Sequence, residues 1–110
     1  MSNPTSYREL ELKVITWAEA RKIIPNSTPV AQARKTLEEA GELLEAAARM
    51  QAMRDTGIQI EAPCYQKEVA AFKDAAGDTM VTLINACALA DVDLVQCLAQ
   101  AYNEIKDRKG

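Results

Sequence analysis

The sequence predicts an all-α fold, a bundle of about four helices in one domain covering residues 1–110. Three observations carry that prediction. Apolar residues recur at spacings of three and four along most of the chain. Recognisable helix-start signals stand where those runs begin. Val and Ile are scattered instead of alternating, and glycine and proline number only four each, so no segment reads as a strand.

The first helix should start near Ser6. Ser6 followed by Glu9 is a capping box, and Tyr7, Leu10, Val14, Trp17 and Ala18 follow at helical spacing. Pro25 is expected to end it, because the residue before a proline disfavours helix. The second helix has Thr28 as N-cap and Pro29 as its first residue. Its stripe is Val30, Ala33, Leu37, Ala40, Leu44 and Ala47, and it should run to about Thr56 with Gly57 as C-terminal cap. Gly57 to about Cys64 reads as the main loop, an inserted and mobile segment. The third helix is expected from about Tyr65 to Ala90, with Val69, Phe72, Ala76, Met80, Leu83 and Cys87 as its stripe. The fourth should start at Asp93, a good N-cap, and carry Leu94, Cys97, Leu98, Ala101, Tyr102 and Ile105, ahead of a polar tail from Lys106 to Gly110.

Composition narrows the function. At 110 residues and 48% apolar content the chain can bury a core, but a modest one, so self-association is expected. A net charge of −3 argues against a nucleic-acid scaffold. Cys64, Cys87 and Cys97 form neither a disulfide framework nor a metal-type spacing; Cys87 and Cys97 read as reduced core thiols. No secretory signal pattern is present, and the longest uncharged apolar stretch, from Thr79 to Ala90, is too short to cross a bilayer. A cytoplasmic protein is therefore expected, with neither membrane nor nucleic acid as partner. The chain has no histidine. Ser-His-Asp and Cys-His mechanisms are excluded, and acid–base chemistry falls to carboxylates, Lys, Tyr or activated water.

Two groups of carboxylates carry the chemical signal. Glu38, Glu39 and Glu42 lie on the second helix. Glu38 and Glu42 are ~40° apart around it and Glu39 is ~60° beyond Glu42, so three like charges crowd one side within a turn. Asp74 and Asp78 share a face of the third helix, which continues through Val81, Asn85 and Leu89. Gly41 and Gly77 stand among these acids. A mid-helix glycine costs ~1 kcal/mol against alanine, so each suggests close approach of another element. Carboxylates from two helices, without histidine, are hard oxygen ligands suited to Mg²⁺ or Mn²⁺. The plainer alternative is a pair of solvated acidic faces.

Glu38-Glu39-x-x-Glu42, followed by Gly77-Asp78 on an apolar helix, resembles the EExxE…ExxD pattern of MazG-like nucleotide pyrophosphohydrolases. The resemblance extends from Trp17 to the segment Tyr102–Gly110, whose sequence is similar to the ending of small phage members. It implies an all-α enzyme that hydrolyses a nucleoside triphosphate to the monophosphate with two or more Mg²⁺ ions. Glu39, Glu42 and Asp78 match metal ligands, and Glu38 matches the first acid of the motif. Glu38 or Glu39 is then the expected catalytic base. The sequence departs at the ExxD glutamate, where Ala75 stands; Asp74, one turn before Asp78, is the expected substitute. The interval between the motifs is long, which implies an insertion around Gly57.

The remaining substrate-contact candidates are Lys35, Lys106 and Arg108 for phosphate, Asn103 for sugar or phosphate, Asn85 for a base edge and Trp17 for stacking. The family's lysine two residues after the asparagine is Ile105 here, with Lys106 next. Trp17 and Tyr102 also fit as core residues, Asn85 as a partner for another helix, and the cations as solvated charges. Small phage members act on deoxynucleotide pools, and the MazZ group favours dGTP, which makes dGTP the first substrate to expect. The resemblance further implies a homodimer or homotetramer, in the host cytoplasm if phage-encoded. Two other functions stay open: a catalytically inactive nucleotide sensor, suggested by Ala75, and a helical interaction protein whose acids are surface charges.

Overall fold

The computed structural model describes residues 6–108. Among these there are five helices and no strands: α1 (Tyr7–Ala20), α2 (Ile23–Asn26), α3 (Pro29–Asp55), α4 (Pro63–Leu89) and α5 (Leu94–Ile105). The all-α expectation holds. The extra element is the single turn α2.

Local chemistry fixes most boundaries. Ser6 Oγ accepts from the Glu9 N–H and Thr28 Oγ1 from the Ala31 N–H, so both hydroxyls cap as expected. Asp93 accepts from the N–H groups of Val95 and Gln96 at the start of α5. At the end of α3, Gly57 has φ +86°; its N–H donates to Arg54 and the Ile58 N–H to Met53, a Schellman closure. The same pattern ends α4, where Asp91 takes the left-handed position at φ 56° and Val92 donates to Cys87.

One boundary differs from expectation. α1 stops at Ala20, well before Pro25, because Lys22 adopts φ 62° and turns the chain into α2. The loop expected from Gly57 to about Cys64 lies at 56–62, a short connection tied by Ala62 N–H to Gln59 and Gln66 Nε2 to Ile60 O. The long interval between the acidic motifs is taken up by the helices, each of 27 residues.

α3 and α4 form a long antiparallel hairpin, which supplies most tertiary contact. Thr36 Oγ1 donates to Thr82 Oγ1 at 2.8 Å, and Arg49 Nε to Glu68 Oε1 at 2.7 Å, bridging the two helices near opposite ends. α1 lies across α4, and α2 touches both. α5 leaves α4 at 105°. Its N-cap is tied to α1 by Arg8, which donates to both Asp93 oxygens at 3.3 and 3.2 Å and to Glu11 at 2.7 Å.

The core is small. Its buried apolar residues are Ala18, Ala46, Tyr65, Ala75 and Ile84. The α3 stripe expected to be core faces outward instead: Val30, Leu37 and Leu44 are 58%, 74% and 70% exposed. α3 turns inward the face of Gln32, Glu39, Leu43 and Ala46, of which Gln32 and Ala46 are buried and Glu39 and Leu43 half-buried, and Thr36 on that face bonds Thr82 of α4. On α5, Leu98, Tyr102 and Ile105 are likewise exposed. The expected core thiols are corrected in the same way: Cys97 is exposed and Cys87 only partly covered, and all three cysteines are free. No single helix is long and apolar enough to cross a membrane.

Candidate metal centre

The α3–α4 hairpin sets the two acidic groups facing one another. α3 supplies Glu38, Glu39 and Glu42, and α4 supplies Asp74 and Asp78. Antiparallel packing puts Glu42 near Asp74 and Asp78, around a cavity of about 360 Å³ that Glu45, Arg49, Ala71 and Ala75 complete. Glu39 lies on the covered side of the group. Its Oε2 is buried and has no hydrogen-bond partner. Its carboxyl pKa is raised, first by the shared hydrogen bond with the Glu42 carboxyl, then by loss of solvent, then by the negative charges of Glu42, Asp78 and Glu38. All the acids singled out from the sequence thus fall on one side of the hairpin.

Their donor chemistry fits a hard divalent cation. Every candidate ligand is a carboxylate, and a buried, unpartnered carboxyl oxygen among like charges is stabilised by a cation. In the arrangement the side chains adopt, no three His, Cys, Asp or Glu among the described residues stand close enough to hold a metal ion.

Ala75 occupies the position where the resemblance implies a glutamate. It is buried, and its carbonyl accepts from Thr79 Oγ1 at 2.6 Å. Asp74 and Asp78 flank it on the cavity wall. The glycines do not have the expected role within the chain: a Cβ at Gly41 or Gly77 would meet nothing within 4 Å, so no element of this chain approaches either closely.

Beside the acids a cleft runs toward α1. Asp78, Val81 and Trp17 line one part of about 340 Å³. Trp17, Lys35, Gln32, Thr82 and Asn85 line the adjoining part of about 310 Å³. Trp17 is 45% exposed, which removes it from the core, and the Arg21 guanidinium sits 5.8 Å from its ring centre. Asn85 is 2% exposed, and its Oδ1 has no hydrogen-bond partner. Gln32, also buried, donates to Ser27 Oγ at 3.1 Å.

The structure therefore gathers Trp17, Lys35 and Asn85 near the acids. It does not gather Asn103, Lys106 and Arg108: they lie on exposed α5 and the residues after it, and no α5 residue lines these three cavities. Tyr102, a core candidate in the sequence, is 61% exposed. Lys109 and Gly110 lie outside the described residues.

Three charged residues at the centre escaped the sequence reading. Glu45 and Arg49 line the acidic cavity, and Glu68, with its side chain 14% exposed, pairs with Arg49. Glu45 and Arg49 were detectable, since they continue the helical face of Glu38 and Glu42 at spacings of three and four. Glu68 carried no such signal; only the hairpin register brings it to Arg49.

Comparison with known proteins gives no match to a family model, to a curated protein or to a solved structure.

Proposed function

We propose that the chain is a Mg²⁺-dependent, or Mn²⁺-dependent, nucleoside triphosphate pyrophosphohydrolase of the MazG-like kind. It hydrolyses a (deoxy)nucleoside triphosphate to the monophosphate and releases pyrophosphate, or phosphates in steps; dGTP or GTP is the first substrate to test. The observation that carries this reading is Glu39, a carboxyl with one buried, unpartnered oxygen among acids drawn from two helices.

Glu38, Glu39, Glu42, Asp74 and Asp78 are the residues that would hold the ions. Mg²⁺ bound there would neutralise phosphate charge and acidify the attacking water. Glu38 or Glu39 takes the proton from that water as its oxygen attacks phosphorus and the bond to the leaving phosphate oxygen breaks. Lys35 faces the phosphates, Trp17 stacks on the base and the Asn85 amide hydrogen-bonds its edge. Asn103, Lys106 and Arg108 complete the phosphate and sugar contacts only if a second copy brings α5 to the acids, which fits a homodimer or homotetramer. The setting proposed is the cytoplasm.

The deciding experiment incubates the protein with each dNTP and NTP, with Mg²⁺, Mn²⁺ or EDTA, and separates the products by chromatography. Metal-dependent monophosphate is expected, and intermediate diphosphate would mean two steps. No turnover by folded protein would remove the enzyme reading. Binding of nucleotide with Mg²⁺ but without turnover would then favour an inactive sensor, the second reading, to which the alanine at position 75 lends weight. Binding neither would favour the interaction protein.

A further inference from the structure

The acidic face of α3 ends in a cation on both sides. Lys35, Glu38, Glu42, Glu45 and Arg49 recur at spacings of three and four, which makes one row along the helix. Asn85, Val81, Asp78, Asp74 and Ala71 make a row of the same spacing on α4. Each row is about 21 Å long at ~1.5 Å per residue. The helices are antiparallel, so Lys35 and Asn85 line the cavity at one end, and Arg49 and Ala71 the cavity at the other.

The cavities between the rows are continuous. Trp17 and Val81 line both parts of the cleft, and Asp78 lines the cleft and the acidic cavity alike. They form a track with an aromatic ring and a buried amide at one end, acids in the middle and a guanidinium at the far end. Asn85, 2% exposed with its Oδ1 unpartnered, marks the first end as a place for a polar occupant.

Arg49 is the one cation lining the acidic cavity among the described residues. Its Nε donates to Glu68 Oε1 at 2.7 Å. Its Nη1 stands 3.8 Å from Glu45, beyond hydrogen-bond length. An arginine serving only to bridge two helices would lay its fork on the carboxylate through two parallel bonds. Here a single Nε bond fixes the guanidinium against a carboxylate whose side chain is 14% exposed, and leaves the Nη–H donors for a ligand.

We infer that Arg49 binds the outermost phosphates of the triphosphate, the part that leaves, and that Glu68 is the positioning residue that aims it, an assignment that rests on the proposed hydrolase reading. With the base at Trp17 and Asn85 and the reacting phosphorus at the acids, the Arg49 end of the track is the place left for the remaining phosphates. The electron pair of the broken bond stays on the leaving oxygen, while the proton from water goes to Glu38 or Glu39. Negative charge therefore gathers on the leaving group, and a guanidinium already aimed at it stabilises that charge.

Calorimetry on the whole chain tests this, with three titrants: inorganic pyrophosphate in Mg²⁺, the monophosphate of whichever dNTP is turned over best, and Mg²⁺ alone. Arg49→Gln should bind pyrophosphate at least about 10-fold more weakly. It should bind the monophosphate as the wild type does, and Mg²⁺ alone no less tightly, because a positive charge has left the acids. Its kcat should fall by a similar factor. Glu68→Ala should lose part of the pyrophosphate affinity, and Glu68→Gln, whose amide oxygen still accepts the Nε–H, should keep it. Arg54→Gln, a cation beyond the track, should change none of these. Unchanged pyrophosphate binding in Arg49→Gln would overturn the assignment, as would an equal loss for the monophosphate or in Arg54→Gln. Equal weakness of Glu68→Ala and Glu68→Gln would remove the part given to Glu68. A wild type that turns over no triphosphate and binds no pyrophosphate would sink the hydrolase reading itself, whereas an active wild type matched by Arg49→Gln sinks only the role of Arg49.

Discussion

Asn85 shows how much one side chain can reveal. Its Oδ1 is enclosed without a partner, on a helix that could have placed a leucine there at no polar cost. A buried group left unsatisfied costs about 1–3 kcal/mol. Asn85→Leu should therefore raise stability by about 1–2 kcal/mol in urea unfolding. In the proposed enzyme it should also raise KM severalfold, because the base edge loses its partner. A gain in stability with KM unchanged would remove Asn85 from the substrate site. Glu42 and Asp78 predict the opposite balance. Both are exposed and stand among like charges, whose repulsion each variant relieves, so in the proposed enzyme Glu42→Ala and Asp78→Asn should abolish turnover with little change in the melting curve. Full activity in either variant would take that residue out of the metal site.

At the scale of elements, the ends of the helices carry predictions of known sign. Thr28→Ala should cost about 1 kcal/mol by removing the cap at the head of α3. Asp91→Gly should stabilise the end of α4, by up to about 1 kcal/mol, since glycine takes the left-handed position without strain. The Arg8 hydrogen bonds hold the Asp93 carboxyl below its ordinary value of 3.8, helped by the Gln96 N–H. A carboxyl depressed in the folded state stabilises fully above its unfolded pKa and loses that contribution as pH falls through the folded one. The melting-temperature gap between wild type and Asp93→Asn should thus be widest near neutrality and close as pH falls through the depressed value. The caps at Ser6, Thr28, Gly57 and Asp93 were legible in the sequence because each rests on bonds to residues a few positions away. The acidic cluster was legible for the same reason, as a single-helix spacing repeated on a second helix. The direction in which α3 faces was not. Alanine and leucine line more than one side of it, and only the register with α4, set by contacts such as Thr36 with Thr82, selects the buried side. The short α2 was hidden because Lys22 in a left-handed conformation has no sequence signal.

For the whole molecule, a sparse protomer core and the self-association proposed with its function together imply stability that depends on concentration. Unfolding coupled to dissociation shifts by mass action. The melting temperature should rise with chain concentration in the wild type and stay flat in Leu37→Asp, which puts a charge on the exposed apolar stripe of α3. A wild type whose melting temperature ignores concentration would mean that the protomer stands alone.

α5 stands apart from the acids of its own chain, which has a consequence for mixed pairs. If the proposed enzyme borrows Asn103, Lys106 and Arg108 from a second copy, each centre is built from two chains. An Asp78→Asn chain mixed with a Lys106→Ala chain should then regain part of the wild-type rate, because one centre of the pair holds intact acids beside an intact Lys106.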